Sequence, residues 1–229
     1  MDSPSQKAAW YRQVGQRIRQ HTLLKVVGTA AFMSAFFVGY FHVLRHPAYA
    51  VTQMPLTALD RAIAFYPPAL LVYVSLWIYV TIPPTLLRTM RELVAYGWWI
   101  GGLCLLGLTL FYFWPTAIPP QPMDFAGYPG FQVLQGVDAA ANACPSLHVA
   151  TAAFSAIWLD RLLCEMGAGR AVRVLSWLWF AAIAYSTLAI KQHVALDVYA
   201  GLLLGTTMAL LSLRSRSVNS EDGLGRSRE

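Results

Sequence analysis

Six long stretches of this chain contain no Asp, Glu, Lys or Arg: residues 26–44, 62–87, 93–123, 139–159, 174–190 and 198–213. A helix that crosses a bilayer needs about 20 mostly apolar residues at 1.5 Å rise each. The first, second, fourth and fifth stretches fit that length directly, the fifth being slightly short. The third is too long for one span, but Pro115 and Pro119-Pro120 end its helix early. The sixth starts near Val194, since only Asp197 interrupts it. The expected fold is therefore all-α, an integral membrane bundle of six transmembrane helices. Composition agrees: the chain is 57% hydrophobic and 12% charged, whereas soluble domains carry about 25% charged residues. Its 8 Trp and 11 Tyr suit lipid–water interfaces.

The basic residues give an orientation. With the N-terminus inside, 14 Lys and Arg fall on inner segments. Only Arg45, Arg61 and Lys191 fall on outer ones. The positive-inside rule then puts both termini in the cytoplasm of a cell inner (plasma) membrane protein. The loop 115–146, which has no Lys or Arg, fits an exported segment. The net charge of +6 does not indicate nucleic acid, because the basic residues lie in the gaps between apolar runs and form no patch. Cys104, Cys144 and Cys164 offer no pair suited to a disulfide.

Outside the membrane domain (23–213), residues 1–22 read as an amphipathic surface helix or a flexible basic leader. Trp10, Tyr11, Val14 and Ile18 recur at helical spacing among Lys7, Arg12, Arg17 and Arg19. Ala48-Tyr49-Ala50 resembles a signal cleavage site, but the apolar core before it is too long for a signal peptide. Residues 214–229 read as a disordered cytoplasmic tail.

Two polar clusters interrupt the apolar pattern: Cys144-Pro145-Ser146-Leu147-His148 and Lys191-Gln192-His193-Val194-Ala195-Leu196-Asp197. Ionisable groups near a bilayer are costly, so their placement points to function. In the six-span topology both clusters reach the outer, periplasmic or extracellular face. Pro145-Ser146 reads as a helix start with Ser146 as cap, and the free N–H groups there attract phosphate. His193 and Asp197 are four apart and share a helix face. The carboxylate would fix the imidazole tautomer and leave the other nitrogen as base or nucleophile. Lys191 adds a cation for phosphate. Two histidines allow one to attack phosphorus and the other to protonate the departing oxygen. The rival is a Zn²⁺ site built from His148, His193 and Asp197, against which Lys191 argues by repulsion. His42 and His46 read as ordinary interfacial histidines.

At these residues the chain resembles the type 2 phosphatidic acid phosphatase superfamily. Its motifs run Lys-x6-Arg-Pro, then Pro-Ser-Gly-His, then Ser-Arg-x5-His-x3-Asp. Pro145-Ser146-Leu147-His148 matches the second, with Leu147 in place of glycine. Ser186-Thr187, His193 and Asp197 match the third, with Thr187 in place of arginine. The form around Asn142 to Ala150 is similar to the branch that includes inositol phosphorylceramide synthases. The resemblance implies that His193 forms a phosphohistidine, Asp197 orients it, and His148 is the general acid. It implies that Ser146 and backbone amides bind phosphate, with Ser186 and Thr187 at the motif's phosphate-binding positions. It implies no cofactor and no metal.

Two departures qualify it. The first motif is absent: Trp114-Pro115-Thr116-Ala117-Ile118-Pro119-Pro120 stands in its region. The basic clamp is therefore thin, and Lys191, Arg45 or Arg61 would have to substitute. The expected activity is hydrolysis of a lipid phosphate or diphosphate, with membrane lipids around it. The alternatives are transfer of a phospho head group between lipids, and a non-catalytic membrane binding protein or transporter. The sequence leaves the lipid and the oligomeric state open.

Overall fold

A computed structural model describes residues 4–120, 130–131 and 142–225, with side chains from residue 10 to residue 216. Much of the basic-free loop, residues 121–129 and 132–141, lies outside the described residues.

The chain is a helical bundle. In order come α1 (Pro4–Arg19), α2 (Thr22–Arg45), the two-residue strand β1 (Thr52–Gln53) and α3 (Ala58–Ala62). Three short helices follow: α4 (Ala69–Val74), α5 (Leu76–Tyr79) and α6 (Ile82–Leu86). Then come α7 (Met90–Phe113), β2 (Thr116–Ala117), α8 (Leu147–Glu165), α9 (Arg170–Ala189) and α10 (Ala195–Gly225). Among the described residues, six segments are long and apolar enough to cross a membrane: Thr22–Arg45, Ala69–Leu86, Met90–Phe113, Leu147–Glu165, Arg170–Ala189 and Ala195–Arg216. These correspond to the six charge-free stretches, and the chain is a multi-pass membrane protein.

The second span differs from the single helix expected. It is broken at Ser75 and again at residues 80–81. Pro83 and Pro84 lack the amide hydrogens that would continue the ladder back to Tyr79 and Val80, so the helix restarts with proline in its first turn. At the first break the Ser75 hydroxyl donates to Val72 O at 2.6 Å and accepts the Trp179 indole N–H at 2.9 Å. Ser75 thus ties α4 to α9.

α8 is the hub. Of its apolar window 67% is buried, against 6% for α2 at the rim. α10 lies against α8 so closely that a Cβ on Gly201 would strike Ser146 O, and one on Gly205 would strike Ala150 O. Gly201-Leu-Leu-Leu-Gly205 is thus a small-residue seam of the kind that brings membrane helices backbone to backbone. The outward faces carry Leu71, Trp98, Leu105 and Leu203, exposed as lipid-facing residues should be.

At the other end of the bundle, charges hold helix ends together. The Lys25 ammonium donates to Arg17 O at 2.6 Å and Thr85 O at 2.8 Å, and Arg17 Nη1 donates to Leu86 O at 3.4 Å. These carbonyls belong to the last turns of α1 and α6, where acceptors lack intrahelical donors. The leader is thus a helix whose Trp10 and Arg17 are buried against the bundle. Burial pushes the Arg17 guanidinium below its usual range, and Glu165 opposes the shift.

Arg216 bonds Glu92 at 2.6 Å and Glu165 at 3.0 Å, joining α10 to α7 and α8. α10 continues to Gly225, past residue 214, where the sequence reads as the start of a disordered tail. Residues 226–229 of that tail lie outside the described residues.

α7 begins with a capping box: Thr89 Oγ1 accepts Glu92 N–H, and Glu92 Oε2 accepts Thr89 N–H. Thr89→Ala should therefore destabilise the protein by about 1 kcal/mol. In a thermal melt in detergent that is a midpoint lower by roughly 2–4 °C, and an unchanged midpoint would contradict the cap.

Candidate active site

The two polar clusters, 45 positions apart at their histidines, meet at one end of the bundle. The first is set by the start of α8. Ser146 is the N-cap, its Oγ accepting Val149 N–H at 3.3 Å. Its own N–H donates to Asp197 O at 3.0 Å, stitching the first cluster to the second. Leu147, standing where the family motif has glycine, tucks its side chain onto bare Gly107 of α7. The loop before Ser146 is held by Thr116, whose O accepts Ala143 N–H and whose Oγ1 accepts Cys144 N–H at 2.8 Å. Thr116 also lies in β2, paired in parallel with β1. The region that lacks the family's first motif therefore acts here as the brace of the second.

The second cluster is set by the end of α9. Lys191 N–H donates to Leu188 O, and Gln192 N–H donates to Thr187 O. Lys191 takes φ 60° between them. This is a Schellman C-cap with lysine, not glycine, in the left-handed position. A non-glycine residue there costs about 1–2 kcal/mol, offset by the side chain. The Lys191 ammonium donates to Asp60 O at 2.8 Å and Ile63 O at 2.5 Å. Burial pushes it below the usual lysine range, and Asp60 opposes that shift. His193 N–H also donates to Thr187 O, so the turn delivers His193 at a fixed place.

The histidines face each other. His193 Nε2 lies 3.4 Å from His148 Nδ1, with ring centroids 5.6 Å apart. Behind His193, Nδ1 lies 3.5 Å from Asp197 Oδ2 and makes no hydrogen bond among the described residues. Oδ2 also accepts Val194 N–H at 3.0 Å, and Asp197 is fully buried. The carboxylate thus faces Nδ1, while Nε2 faces His148. Because Asp197 and His148 lie on opposite edges of the His193 ring, the three do not converge on one point. Among the described residues no group of three or more His, Cys, Asp or Glu is arranged to hold a metal ion. Beside the site, burial, with the Asp197 charge, pushes the Cys144 thiol up to about 11. It stays a thiol and is no rival nucleophile.

The side chains expected to hold phosphate are otherwise engaged. Ser186 Oγ donates to Ile183 O and Thr187 Oγ1 to Ala184 O. Lys191 faces the α3 carbonyls, and neither Arg45 nor Arg61 lines the cavity described next. His148 and His193 open into a cavity of about 900 Å³. Its walls are apolar, including Phe32, Phe36, Phe37 and Trp77, and it follows one face of α2 from Tyr40 to Lys25.

Two residues here were not legible as site residues. Asp60 Oδ1 accepts Ala195 N–H at 2.8 Å, capping α10 just beyond His193. Its only sequence signal is a lone acid between two apolar runs. Tyr73 places its hydroxyl 2.7 Å from His148 Nε2, and within an apolar run nothing marks it.

The curated proteins and the solved structures compared with the chain give no match. One family model does match, that of the PAP2 superfamily, over residues 112–221. That segment, the part similar to the PAP2 superfamily, holds both clusters, the brace at Thr116 and the α8–α10 seam.

Proposed function

We propose that this protein is a membrane lipid phosphatase that hydrolyses a lipid phosphate or diphosphate through a phosphohistidine. The observation that carries the reading is the His193–His148 contact, backed by Asp197, at the mouth of a long apolar cavity. Along α2 that cavity runs about 22 Å, more than half of a ~30 Å hydrocarbon core. A lipid tail fits such a space, with its phosphate at the histidines.

Two displacements make up the reaction. In the first, the Nε2 lone pair of His193 forms a bond to phosphorus. The bond to the leaving oxygen breaks, its electron pair stays with that oxygen, and His148 supplies the proton. In the second, water attacks phosphorus, neutral His148 takes its proton, and the N–P bond returns its pair to Nε2. Asp197 holds the His193 Nδ1 proton and stabilises the charge that develops on that ring. The N–H groups of Leu147 and His148, in the first turn of α8, are the phosphate donors in this reading. The charge asymmetry of the loops favours a site at the periplasmic or extracellular face.

A second reading follows from the engaged side chains. With Thr187 and Lys191 both committed to carbonyls, a dianionic monoester meets little positive charge. A diester donor, with a second lipid alcohol replacing water, suits such a site.

A panel of lipid phosphates and diphosphates, with products identified by mass, separates these readings. Phosphate release that persists in EDTA supports the first. Loss on chelation with restoration by Zn²⁺ rejects the metal-free route. Transfer to an added lipid alcohol supports the second. Because one imidazole must be neutral and the other protonated, rate against pH should be bell-shaped. A flat profile between about pH 5 and 9 would contradict the paired roles.

A further inference from the structure

α2 and α7, the first and third spans, pack against each other. Two contacts fix their register. A Cβ on Gly39 of α2 would lie 3.3 Å from Leu108, and one on Gly101 of α7 would lie 3.6 Å from Phe32. In both pairs the α7 residue stands 69 positions after its α2 neighbour. A constant offset means that the two helices run in the same direction. Gly97 also stands 69 positions after Gly28, which places these two glycines at one depth. Steps of four and seven residues return to nearly the same side of a helix. Gly28, Phe32 and Gly39 therefore share one face, and Gly97, Gly101 and Leu108 share the face opposite. In the other two pairs a large side chain covers a glycine. Here both positions are bare, and a Cβ on either would meet nothing within 4 Å. The seam between α2 and α7 opens into a notch at Gly28 and Gly97.

The notch belongs to the cavity that reaches the histidines. Gly28 and Gly97 both line it, and so do Val94 and Trp98, which are 52% and 78% exposed. At this depth the cavity thus borders the outside of the bundle. At the histidine end, the Trp77 ring lies 6.1 Å from that of His148 and 5.5 Å from that of Phe37. Gly28 precedes Phe37 by nine residues, about 13 Å of helix. An alkyl zigzag of ~1.5 Å bonds advances about 1.25 Å per carbon, so about eleven carbons span that distance. Past Gly28 the cavity ends at a polar floor. The Lys25 ammonium, one turn farther, donates to Arg17 O and Thr85 O. A chain that reaches this depth meets charge and carbonyls ahead and an apolar opening at its side.

We propose that the Gly28–Gly97 notch is where the substrate's tail passes from the cavity into the bilayer, and that this glycine pair sets how long a tail the protein takes. The substrate class is then a lipid phosphate or diphosphate with a chain of more than about eleven carbons. This rests on the lipid-phosphatase reading. The phosphate lies at His193 and His148, the first stretch of chain fills the cavity, and the rest emerges between α2 and α7 among the lipid tails. A side chain at either glycine blocks that exit without touching the phosphate.

The test is the tail-length preference of the full-length protein in lipid nanodiscs, read as kcat/KM for hexadecyl phosphate divided by that for octyl phosphate. An octyl chain ends short of the notch, and a hexadecyl chain passes it. In Gly28→Leu and in Gly97→Leu this ratio should fall at least about tenfold from its wild-type value, through KM for the long chain. Leucine is a better helix former than glycine, so neither change weakens its own helix. Gly15→Leu on α1 is the control. Its Cβ would also meet nothing within 4 Å, the residue does not line the cavity, and the ratio should stay as it was. An unchanged ratio in either Gly28→Leu or Gly97→Leu overturns the proposal, whether both rates hold or both fall together. Binding is read apart from turnover in His193→Ala, with a hexadecyl phosphate that carries a photoreactive diazirine two-thirds of the way along its chain. Label should fall beside the notch, on residues such as Leu24 and Val94. Label confined to the histidine end, or spread over lipid-facing residues such as Leu203, overturns the proposal as well. A wild type that hydrolyses neither phosphate, with label at the notch, rejects the phosphatase reading alone. An active wild type with an unaltered ratio in the variants rejects the notch alone.

Discussion

His193→Ala should lower lipid-phosphate turnover by at least about 10⁴-fold, to the level left when a covalent nucleophile is removed. No neighbouring group takes over. His148 Nδ1 lies 3.4 Å from the vacated position, but its other nitrogen is bonded to Tyr73. Cys144 stays protonated, its thiol pushed up to about 11 by burial first and Asp197 second. His148→Ala should cost less, about 10²–10⁴-fold, the usual contribution of a positioned general acid. The loss should shrink for substrates whose leaving group needs no proton, such as an aryl phosphate. Equal losses for aryl and alkyl leaving groups in His148→Ala would contradict the assignment of roles. Both variants keep the bundle intact in this account, because neither imidazole belongs to the apolar core that Leu147 and Phe154 help to build.

Gly205→Val should have the largest effect on stability. A Cβ at Gly205 would collide with Ala150 O, a backbone atom in the most buried helix, which has no rotamer through which to yield. Overpacking a core commonly costs about 1–3 kcal/mol, and a clash with backbone belongs at or above the top of that range. α10 would have to move away from α8, taking Asp197 with it. The Ser146 N–H to Asp197 O bond and the His193–His148 contact would loosen together. A thermal melt in detergent should show a midpoint lower by several degrees, with activity falling in step. Gly15→Ala, where nothing lies within 4 Å, is the control and should lower neither. A wild-type melt for Gly205→Val would mean that the seam is not as close as described.

Much of this architecture is written in the chain as interruptions of charge. The six spans follow from the gaps between Lys, Arg, Asp and Glu, because a bilayer penalises those groups at any depth. His148, His193 and Asp197 were legible for the same reason: they are polar groups placed where polarity is costly. The Gly201–Gly205 spacing was equally readable as a small-residue seam but passes unnoticed beside the clusters.

What could not be read is where side chains point. Lys191 looks like a phosphate cation because it sits beside His193. Yet a lysine forced to φ 60° at a helix end bonds the nearest carbonyls, those of Asp60 and Ile63. Ser186 and Thr187 likewise satisfy their hydroxyls within their own helix. Tyr73 and Asp60 reach the site from the first third of the chain. Their relevance depends on a packing of α3 and α4 against α9 and α10 that no local pattern encodes. The second span reads as one helix because hydropathy is blind to missing amide hydrogens. Only Pro83 and Pro84 signal the break.

The central claim is a phosphoryl group on His193. The direct measurement is rapid acid-free quenching of the full-length protein during turnover of a lipid phosphate labelled with ³²P, followed by peptide mapping under alkaline conditions that preserve N–P bonds. The account predicts label on the peptide containing His193, absent in His193→Ala and chased out by water at the rate of turnover. Phosphate release from wild-type protein with no label on that peptide at any time, or with label that persists in His193→Ala, would contradict it.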